Sequence, residues 1–592
     1  MSKIEYNDQQ KKVLEFKEGA CCVLAGAGSG KTASLVARMK CLVDSGTPGE
    51  DITAITFTNY SAKDLKKKKS KMKGLDDIRV GTFHAICKKI LYDEGIDTSR
   101  QLPLYEIENI FKKIDKKAKC KEIMGYIAFQ KVSGIDVNGS LIKDTEHYTA
   151  EELRVFYKAY ELHKKKKKAL DFTDWMIATI KILKEKPDKY AIKYLLVDEQ
   201  QDNDILQNKL MKLLCPSENI MAIGDIRQSI YGFKGGSPEL FMNFDKNYKN
   251  ATIINLDINY RSCRNIVENS NSFMRKYLGD FRYYSDSIAN NKKDGVVEKI
   301  TSMTKEQEAN SVASMIEKDI KMGIKPEDIA VLYRLNSQSF YIENELKTRN
   351  IEYHIESNNN FFERKEIKAV VCMLRLIEDL NDNAAYEAIY KTRCHPFNFL
   401  SNKLLNDIED LAAKEDASLL KTSESVRVDK RWQRENLDRF IDILKSLVVQ
   451  HKKHIGLSTM IKNIIKLLRL EEFINQNYEG DEVSERLESL EALKLFIKNN
   501  TLESFLKFIY SSEKTKIKKK SNQIQLMTIH KSKGLEYKKV YIIGIEDGKF
   551  PHKKCDIDEE ARLFYVGITR PKDELVLSQI LEENKFIEEY FK

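Results

Sequence analysis

Ala25-Gly26-Ala27-Gly28-Ser29-Gly30-Lys31-Thr32 stands between a short apolar run, Cys21 to Leu24, and a segment whose apolar spacing predicts a helix over 33–43. The run reads as a buried parallel strand, so the glycines occupy a strand-to-helix turn. Such a turn cradles phosphate. Glycine lets successive backbone N–H groups face a triphosphate, and the helix that follows adds its positive end. Lys31 neutralises the β and γ phosphates, and the Thr32 hydroxyl can ligate Mg²⁺. A glycine-rich loop without function is the bland alternative, and the full G-x-x-x-x-G-K-S/T pattern in its strand-to-helix setting argues against it.

Outward from the cradle, Ile52 to Phe57 is a β-rich run followed by a polar turn and a basic helix, and Val80-Gly81-Thr82-Phe83-His84 reads as a third short strand. Helical patterns then take over at Ala85 to Leu91, Leu104 to Lys117, Glu151 to Lys168 and Phe172 to Leu183, with no clear strand among them. Tyr194 to Glu199 resumes the core as an apolar strand ending in two carboxylates, and Ile220 to Asp225 follows. Ligands of open parallel sheets bind beyond the carboxyl ends of the strands, where these acids lie. A second set of strands is expected to start near Thr252 to Leu256 and to include Ile329 to Leu335 and Ile351 to Ile355. It is interrupted by a charge-rich helical stretch and returns at Ile524 to Ile529, Val540 to Ile545 and Glu574 to Ser578. The fold expected is therefore α/β, with two cores that each carry a mainly helical insertion. The boundaries expected are 1–86, 189–258 for the first core around an insertion at 87–188, and 259–366, 521–592 for the second around 367–520.

The chain has 592 residues, too many for one core. Charged residues make up 32%, the net charge is +10, and lysines cluster at Lys66 to Lys73, Lys164 to Lys168 and Lys514 to Lys520. Such runs are usually solvated faces, but several on a nucleotide-binding chain favour a polyanionic partner, most simply nucleic acid. The ten cysteines form no C-x-x-C and no metal spacing with histidine, and read as reduced thiols. No apolar leader and no membrane-length run occurs, so the protein is expected to be soluble and cytoplasmic.

Asp198 and Glu199 suit the second acidic element of a phosphate-loop ATPase. Asp198 holds the Mg²⁺ shell while Glu199 orients or deprotonates the attacking water. A strand-end surface pair is the alternative. Past the next strand end, Gln228 can report a γ-phosphate. Tyr231 and Phe233, separated by one glycine in a loop, suit stacking on single-stranded bases, or else plug a contact between subdomains.

With these stretches on the page, the sequence resembles superfamily 1 helicases of the UvrD, Rep and PcrA type. The resemblance runs through the cradle, Thr56-Phe57-Thr58-Asn59, Gly81 to His84, Val197 to Asp202, Gly224 to Gly232, Asn259-Tyr260-Arg261-Ser262, Thr528 to Glu536 and Tyr565 to Arg570, in the family's order and over nearly the whole chain. It implies two RecA-like cores that open and close around ATP and an ATP-dependent motor on single-stranded DNA and single/double-strand junctions. It also implies 3′ to 5′ movement, with unwinding in DNA repair, replication or related metabolism. By the same resemblance Gln10, twenty-one residues before Lys31, reads adenine and Tyr260 stacks on it. Glu536 holds the ribose, and Arg261 and Arg570 reach the γ-phosphate from the second core. Without the flanking motifs, both arginines would read as surface salt-bridge residues. Phe57, Thr58, Asn59, Thr82, His84, Tyr231, Phe233 and His530 form the DNA track, with core packing the rival reading at Phe57 and Phe83 and a structural role the rival at His530.

The sequence also departs from the family. Ala33 and Lys234 stand where relatives carry arginine, and lysine cannot reproduce a planar bidentate contact. Phe361 to Ile367 resembles the entry to the second insertion, yet the Gly-Ile-Gly element linked to duplex contact is absent from Thr392 to Asn398. The sequence ends soon after Arg570 and is therefore expected to lack the relatives' partner-binding tail and a fused nuclease. These departures keep open a second reading, an ATP-gated DNA-binding subunit of a repair or anti-phage complex, with a protein partner and little unwinding of its own. A phosphate-loop switch unrelated to nucleic acid leaves the aromatic and basic elements unexplained.

Overall fold

The computed structural model describes residues 5–139, 144–232, 235–355, 361–478, 481–497, 501–514, 522–553 and 555–592. Phe233, Lys234 and most of the third lysine run lie outside the described residues. Strands are β1 Cys21–Ala25, β2 Ile52–Ile55, β3 Arg79–Gly81, β4 Tyr194–Val197, β5 Ile220–Gly224, β6 Thr252–Leu256, β7 Ile258–Asn259, β8 Ile288–Ala289, β9 Val296–Ser302, β10 Ile329–Tyr333, β11 Tyr353–Ile355, β12 Ile524–Thr528, β13 Tyr537–Ile545 and β14 Pro571–Ile580. The chain forms two compact units. The first comprises Met1–Val297, Pro551–Leu575 and Asn584–Lys592, and the second Glu298–Phe550 and Val576–Glu583.

In the first unit six strands pair in the order β3-β2-β4-β5-β1-β6, and every pair is parallel. Alternate side chains along these strands leave by opposite faces. Cys22, Ile55, Leu195, Val197, Ile220 and Ala222 pack on one face against helix Ile205–Leu214. Cys21, Val23, Ala25, Ala54, Leu196, Met221 and Ile223 pack on the other against helix Lys31–Asp44. Burial on both faces is why these strands read as unbroken apolar runs. One expectation fails here: β6 does not begin a second set of strands. It pairs with β1, Val23 opposite Ile254, because Ile254 and Leu256 complete the same apolar face as β1.

The third strand is also shorter than its sequence reads. It stops at Gly81, and Thr82 caps helix Phe83–Asp93 by accepting from the Ala85 N–H at 3.3 Å. That helix opens a helical stretch reaching to Glu185, part of which has its own core around Phe111, Ile127, Phe156 and Tyr160. Of the second lysine run, Lys165 to Lys168 are solvated, but Lys164 is buried. Lys164 and the buried Lys131 share the carboxylates of Glu161, Asp171 and Asp174.

The second unit holds a sheet ordered β11-β12-β10-β13-β14-β9 and a helical stretch from Lys365–Glu378 to Leu502–Lys514. Helix Lys365–Glu378 is apolar almost all round and accordingly lies inside the helical core. Within this unit the buried Glu308 accepts from the Gly544 N–H at 2.9 Å and the Ser578 hydroxyl at 2.6 Å. Burial outweighs these hydrogen bonds and pushes its carboxyl up to about 7. A carboxyl raised in the fold favours the fold while protonated, so its contribution falls as pH rises from the unfolded value through about 7. Glu308→Gln removes that loss. Denaturant unfolding should show the variant gaining about 2–3 kcal/mol on the parent between pH 5 and pH 8, and a pH-independent difference would count against the buried acid. Among the described residues no helix is long and apolar enough to cross a membrane.

Candidate nucleotide and nucleic-acid site

Register places the site. Leu24 lies opposite Gly224 and Val197 opposite Ala222, so the carboxyl ends of β1, β5 and β4 come side by side with the cradle, Asp225 and Asp198-Glu199 behind them. In the cradle Gly28 has φ +69° and Gly30 φ +82°, the left-handed region that favours glycine. A Cβ on Gly28 would lie 2.7 Å from Arg261 Cβ and 2.9 Å from Asn259 Oδ1. Asn259 straps the loop: its Nδ2 donates to the Ala27 carbonyl at 2.8 Å, and its Oδ1 accepts from the N–H groups of Arg261 and Ser262, both at 2.8 Å. The Tyr260 N–H donates to the Gly28 carbonyl at 2.9 Å.

Gln10 and Tyr260 meet the loop from one side through Asn7. The Asn7 N–H donates to Gln10 Oε1 at 3.1 Å and its amide to Tyr260 Oη at 2.7 Å, while Gln10 Nε2 reaches the Ser29 carbonyl at 3.4 Å. Gln10 is buried; the ring of Tyr260 is 45% exposed and open to a stacking partner.

The carboxylates behind the cradle are unlike one another. Burial first, and then the neighbouring Glu199, raise Asp198 to about 7, with Lys31 opposing. Glu199 adopts φ +54°, a left-handed conformation unusual for its residue type, and its Oε2 accepts from Gln201 Nε2 at 2.6 Å. Gln201 in turn accepts from the Asp225 N–H at 3.0 Å, and a Cβ on Gly224 would collide with it at 2.3 Å. Asp225 is buried, yet Arg227 and Lys31 overcome that burial and hold it below the usual carboxylate range. Arg227 Nε donates to Asp225 Oδ1 at 2.9 Å and Gln228 Nε2 to Oδ2 at 2.7 Å.

Gln228 Oε1 accepts from Arg570 Nη2 at 3.2 Å. Arg570 is 1% exposed and also donates to the Val566 carbonyl at 2.7 Å and to Thr569 Oγ1 at 2.9 Å. Arg261 Nη1 donates to the Thr569 carbonyl at 3.0 Å. Burial and then the like charge of Arg261 pull Arg570 down to about 9. Both arginines belong to the same compact unit as the cradle, because 551–575 returns to it: Ser262 Oγ donates to the Pro571 carbonyl at 2.6 Å and Arg562 Nε to the Ser229 carbonyl at 2.8 Å.

The residues fit a metal–triphosphate. Two guanidinium groups of like charge lie near one another, Glu199 adds to the burial that raises its neighbour Asp198, and Ser29 Oγ in the cradle is buried without a hydrogen-bond partner among the described residues. An anion relieves the first pair and a cation the second. Thr32, half-buried in the first helical turn, and Asp198 offer oxygen atoms of the kind a divalent cation takes.

On the expected DNA track, Phe57 and Tyr231 stack with ring centroids 5.2 Å apart and planes at 21°. His84 meets Phe172 edge to face at 5.6 Å, and burial lowers its pKa. Phe172 is 54% exposed, a ring that periodicity had assigned only to a helix start. Thr58 and Thr82 are N-caps of helices Asn59–Lys69 and Phe83–Asp93, with Asn59 exposed at the first helical position. Phe83 is core. His530, half-exposed in the turn Ile529–Ser532 after β12, and the exposed Glu536 belong to the second unit. Sequence reading placed Asp225 beyond a strand end without giving it a role, and missed Gln201 and Asn259 as site residues, since no spacing rule marks an amide that acts by bonding a neighbouring strand end.

Two family descriptions match the chain: "UvrD/REP helicase N-terminal domain" over residues 6–249 and "UvrD-like helicase C-terminal domain" over residues 254–582. Among similar proteins, the ATP-dependent DNA helicase Rep of Buchnera aphidicola subsp. Schizaphis graminum is 30% identical, over 96% of this chain and 92% of its own. DNA helicase II of Haemophilus influenzae is 30% identical over 97% and 83%, and the ATP-dependent DNA helicase PcrA of Leuconostoc citreum 29% over 97% and 81%.

Proposed function

This chain belongs to the UvrD-like helicase family, and we propose that it is a DNA-stimulated ATPase that converts ATP hydrolysis into 3′ to 5′ movement on single-stranded DNA and strand separation at junctions. The observation that carries the reading is the convergence of cradle, paired carboxylates and paired arginines in one compact unit, joined by the run Glu199–Gln201–Asp225–Gln228–Arg570.

Cradle N–H groups and Lys31 bind the phosphates, with Gln10 and Tyr260 beside the base and Glu536 assigned to the ribose. Thr32 and Asp198 would hold Mg²⁺, which when bound would supply charge neutralisation on the triphosphate. Glu199 accepts the proton of the attacking water and is aimed by the Gln201 amide. Arg261 and Arg570 stabilise charge that spreads over the transferring phosphoryl oxygens. Gln228 touches Arg570 on one side and Asp225 on the other, so a change at the γ-phosphate reaches the loop that carries Tyr231. The Phe57–Tyr231 pair offers a ring to successive bases without reading their identity, with Asn59 and His84 assigned to the same track; His530, in the second unit, is assigned to DNA by the family resemblance. The two RecA-like cores would be the moving parts.

ATP hydrolysis measured with and without an oligo-dT strand, using Lys31→Ala protein as the blank, tests this. Strong stimulation is expected; hydrolysis indifferent to DNA would leave the nucleotide site standing and remove the motor. The altered loop Thr392 to Asn398 favours one alternative, an ATP-gated DNA-binding subunit of a repair or defence complex. Failure to release a strand from a forked duplex, despite DNA-stimulated hydrolysis, would select it.

A further inference from the structure

Arg227 is a buried guanidinium for which the bond to Asp225 is only one contact among several. It stands in the short turn Ile226–Gln228 after β5, one residue before Gln228. Besides the Nε bond to Asp225, Nη1 donates to Ser287 Oγ at 3.3 Å and to the Ser285 carbonyl at 3.4 Å. The guanidinium carbon lies 5.4 Å from the centre of the Tyr565 ring and 6.0 Å from that of Tyr284, within reach of a cation over an aromatic face. A Cβ on Gly26 would meet Nη2 at 2.6 Å and Ser287 Oγ at 2.7 Å, so the cradle backbone closes on the arginine with no room for a side chain. One side chain therefore touches the first glycine of the cradle, the acid behind β5, the segment 284–287 and the helix Ile557–Ile568 that leads into Arg570.

Those neighbours are themselves fixed. Asn271 brackets the Ser287 backbone, donating from Nδ2 to its carbonyl at 2.8 Å and accepting from its N–H at 3.0 Å. Ser285 Oγ donates to Asp257, which pairs with the Gln9 amide at 3.1 Å through its carboxylate and at 2.9 Å through its N–H. On the other side Asp225 accepts from Gln228, which accepts from Arg570. Arg227 is thus the middle of a hydrogen-bonded chain that starts on the helix carrying Gln10 and ends at Arg570. Replacing a buried ion pair by apolar packing is often neutral for stability, so stability alone gives little reason to sink a guanidinium here. Its Nε and Nη1 are committed to protein oxygens, which leaves alignment of those neighbours as its contribution.

We infer that Arg227 is a positioning residue for ATP hydrolysis: by clamping Gly26, Asp225, Ser287 and Tyr565 in one arrangement, it holds Gln228 and Arg570 against the cradle where the γ-phosphate is to lie. The inference rests on the ATPase part of the proposed function and is independent of movement on DNA. Lysine tests it because it keeps a positive charge beside Asp225 but carries one nitrogen and no plane. It cannot sit at Asp225 and at Ser287 together, nor lie flat on the Tyr565 ring. Small misplacements of groups around a reacting phosphate cost rate far more than they cost binding.

Arg227→Lys, Gln228→Ala and the double variant, made in the full chain, are compared with the parent by ATP turnover, fluorescent-nucleotide affinity and melting temperature. Arg227→Lys should lower turnover about tenfold to a hundredfold while nucleotide affinity stays within about threefold of the parent. In the Gln228→Ala background the same lysine should cost less than about threefold, because the path through which the arginine acts is already cut. Parental turnover by Arg227→Lys overturns the inference. So does a loss in the Gln228→Ala background as large as in the parent, or a fall in affinity that matches the fall in rate, since each marks a general structural role. If Arg227→Lys melts below the assay temperature, Ser287→Ala decides in its place: it removes one bond of Nη1 and should lower turnover about threefold at parental affinity, and an unchanged rate overturns the inference. A parent that hydrolyses no ATP would overturn the ATPase reading itself, whereas an active parent with unaffected variants removes only the role of Arg227.

Discussion

Glu199→Gln protein is expected to bind ATP and fail to turn it over, with hydrolysis down about 10²–10⁴-fold, whereas Lys31→Ala should lose both binding and turnover. The argument is local. Glu199 is held left-handed at the end of β4, where its carboxylate accepts from Gln201. The isosteric amide keeps an oxygen for that bond and loses only the capacity to take a proton. The phosphate-holding groups, Lys31, Thr32 and the loop N–H groups, are untouched. Lys31 is the cation whose field lowers both Asp198 and Asp225. Its removal deprives the phosphates of their counter-charge and leaves two buried acids less compensated. Steady-state hydrolysis paired with fluorescent-nucleotide binding separates the two variants. Hydrolysis at the parental rate by Glu199→Gln would reduce Glu199 to a strand-end acid.

Removing either arginine should cut DNA-stimulated hydrolysis by about 10³-fold or more, the scale of an arginine acting on phosphoryl oxygens. Arg570 is the sharper case because its guanidinium bonds Val566, Thr569 and Gln228 at once. Lysine carries the charge without the planar fork, so Arg570→Lys should not rescue the rate. Arg261 is half-buried and anchored on the Thr569 carbonyl, and Arg261→Ala tests the chemistry with less disturbance of the interior. Melting temperature is measured alongside. A loss below tenfold in Arg261→Ala, or a fall in rate matched by a collapse in stability, would make these arginines structural.

Much of this was legible in the sequence, and the reason differs by element. The cradle is readable because its chemistry demands glycine at fixed positions, and Gly28 and Gly30 do take left-handed angles. β1, β4 and β5 are readable because strands covered on both faces become short unbroken apolar runs. β6 was misassigned because such a run carries no mark of which sheet it joins; the partner is chosen by the face that Ile254 and Leu256 complete. Thr58 and Thr82 show the opposite limit. A threonine before a helix caps it whatever else it touches, so its identity alone cannot reveal a second task. Gln201 and Asn259 escaped because their work is a hydrogen bond to a distant strand end, which leaves no periodic trace.

The return of 551–575 to the first compact unit also bears on how the protein is made. Gln228 and its partner Arg570 are 342 residues apart in the chain. At a synthesis rate of about 5–20 residues per second, roughly twenty seconds to a minute passes between the emergence of one and the other from the ribosome. Through most of that interval the nascent chain can carry the phosphate-binding loop and Arg261 without Arg570. On the proposed mechanism translation order acts as a safety catch: a chain cut short before Arg570 lacks one of the two arginines that hydrolysis needs.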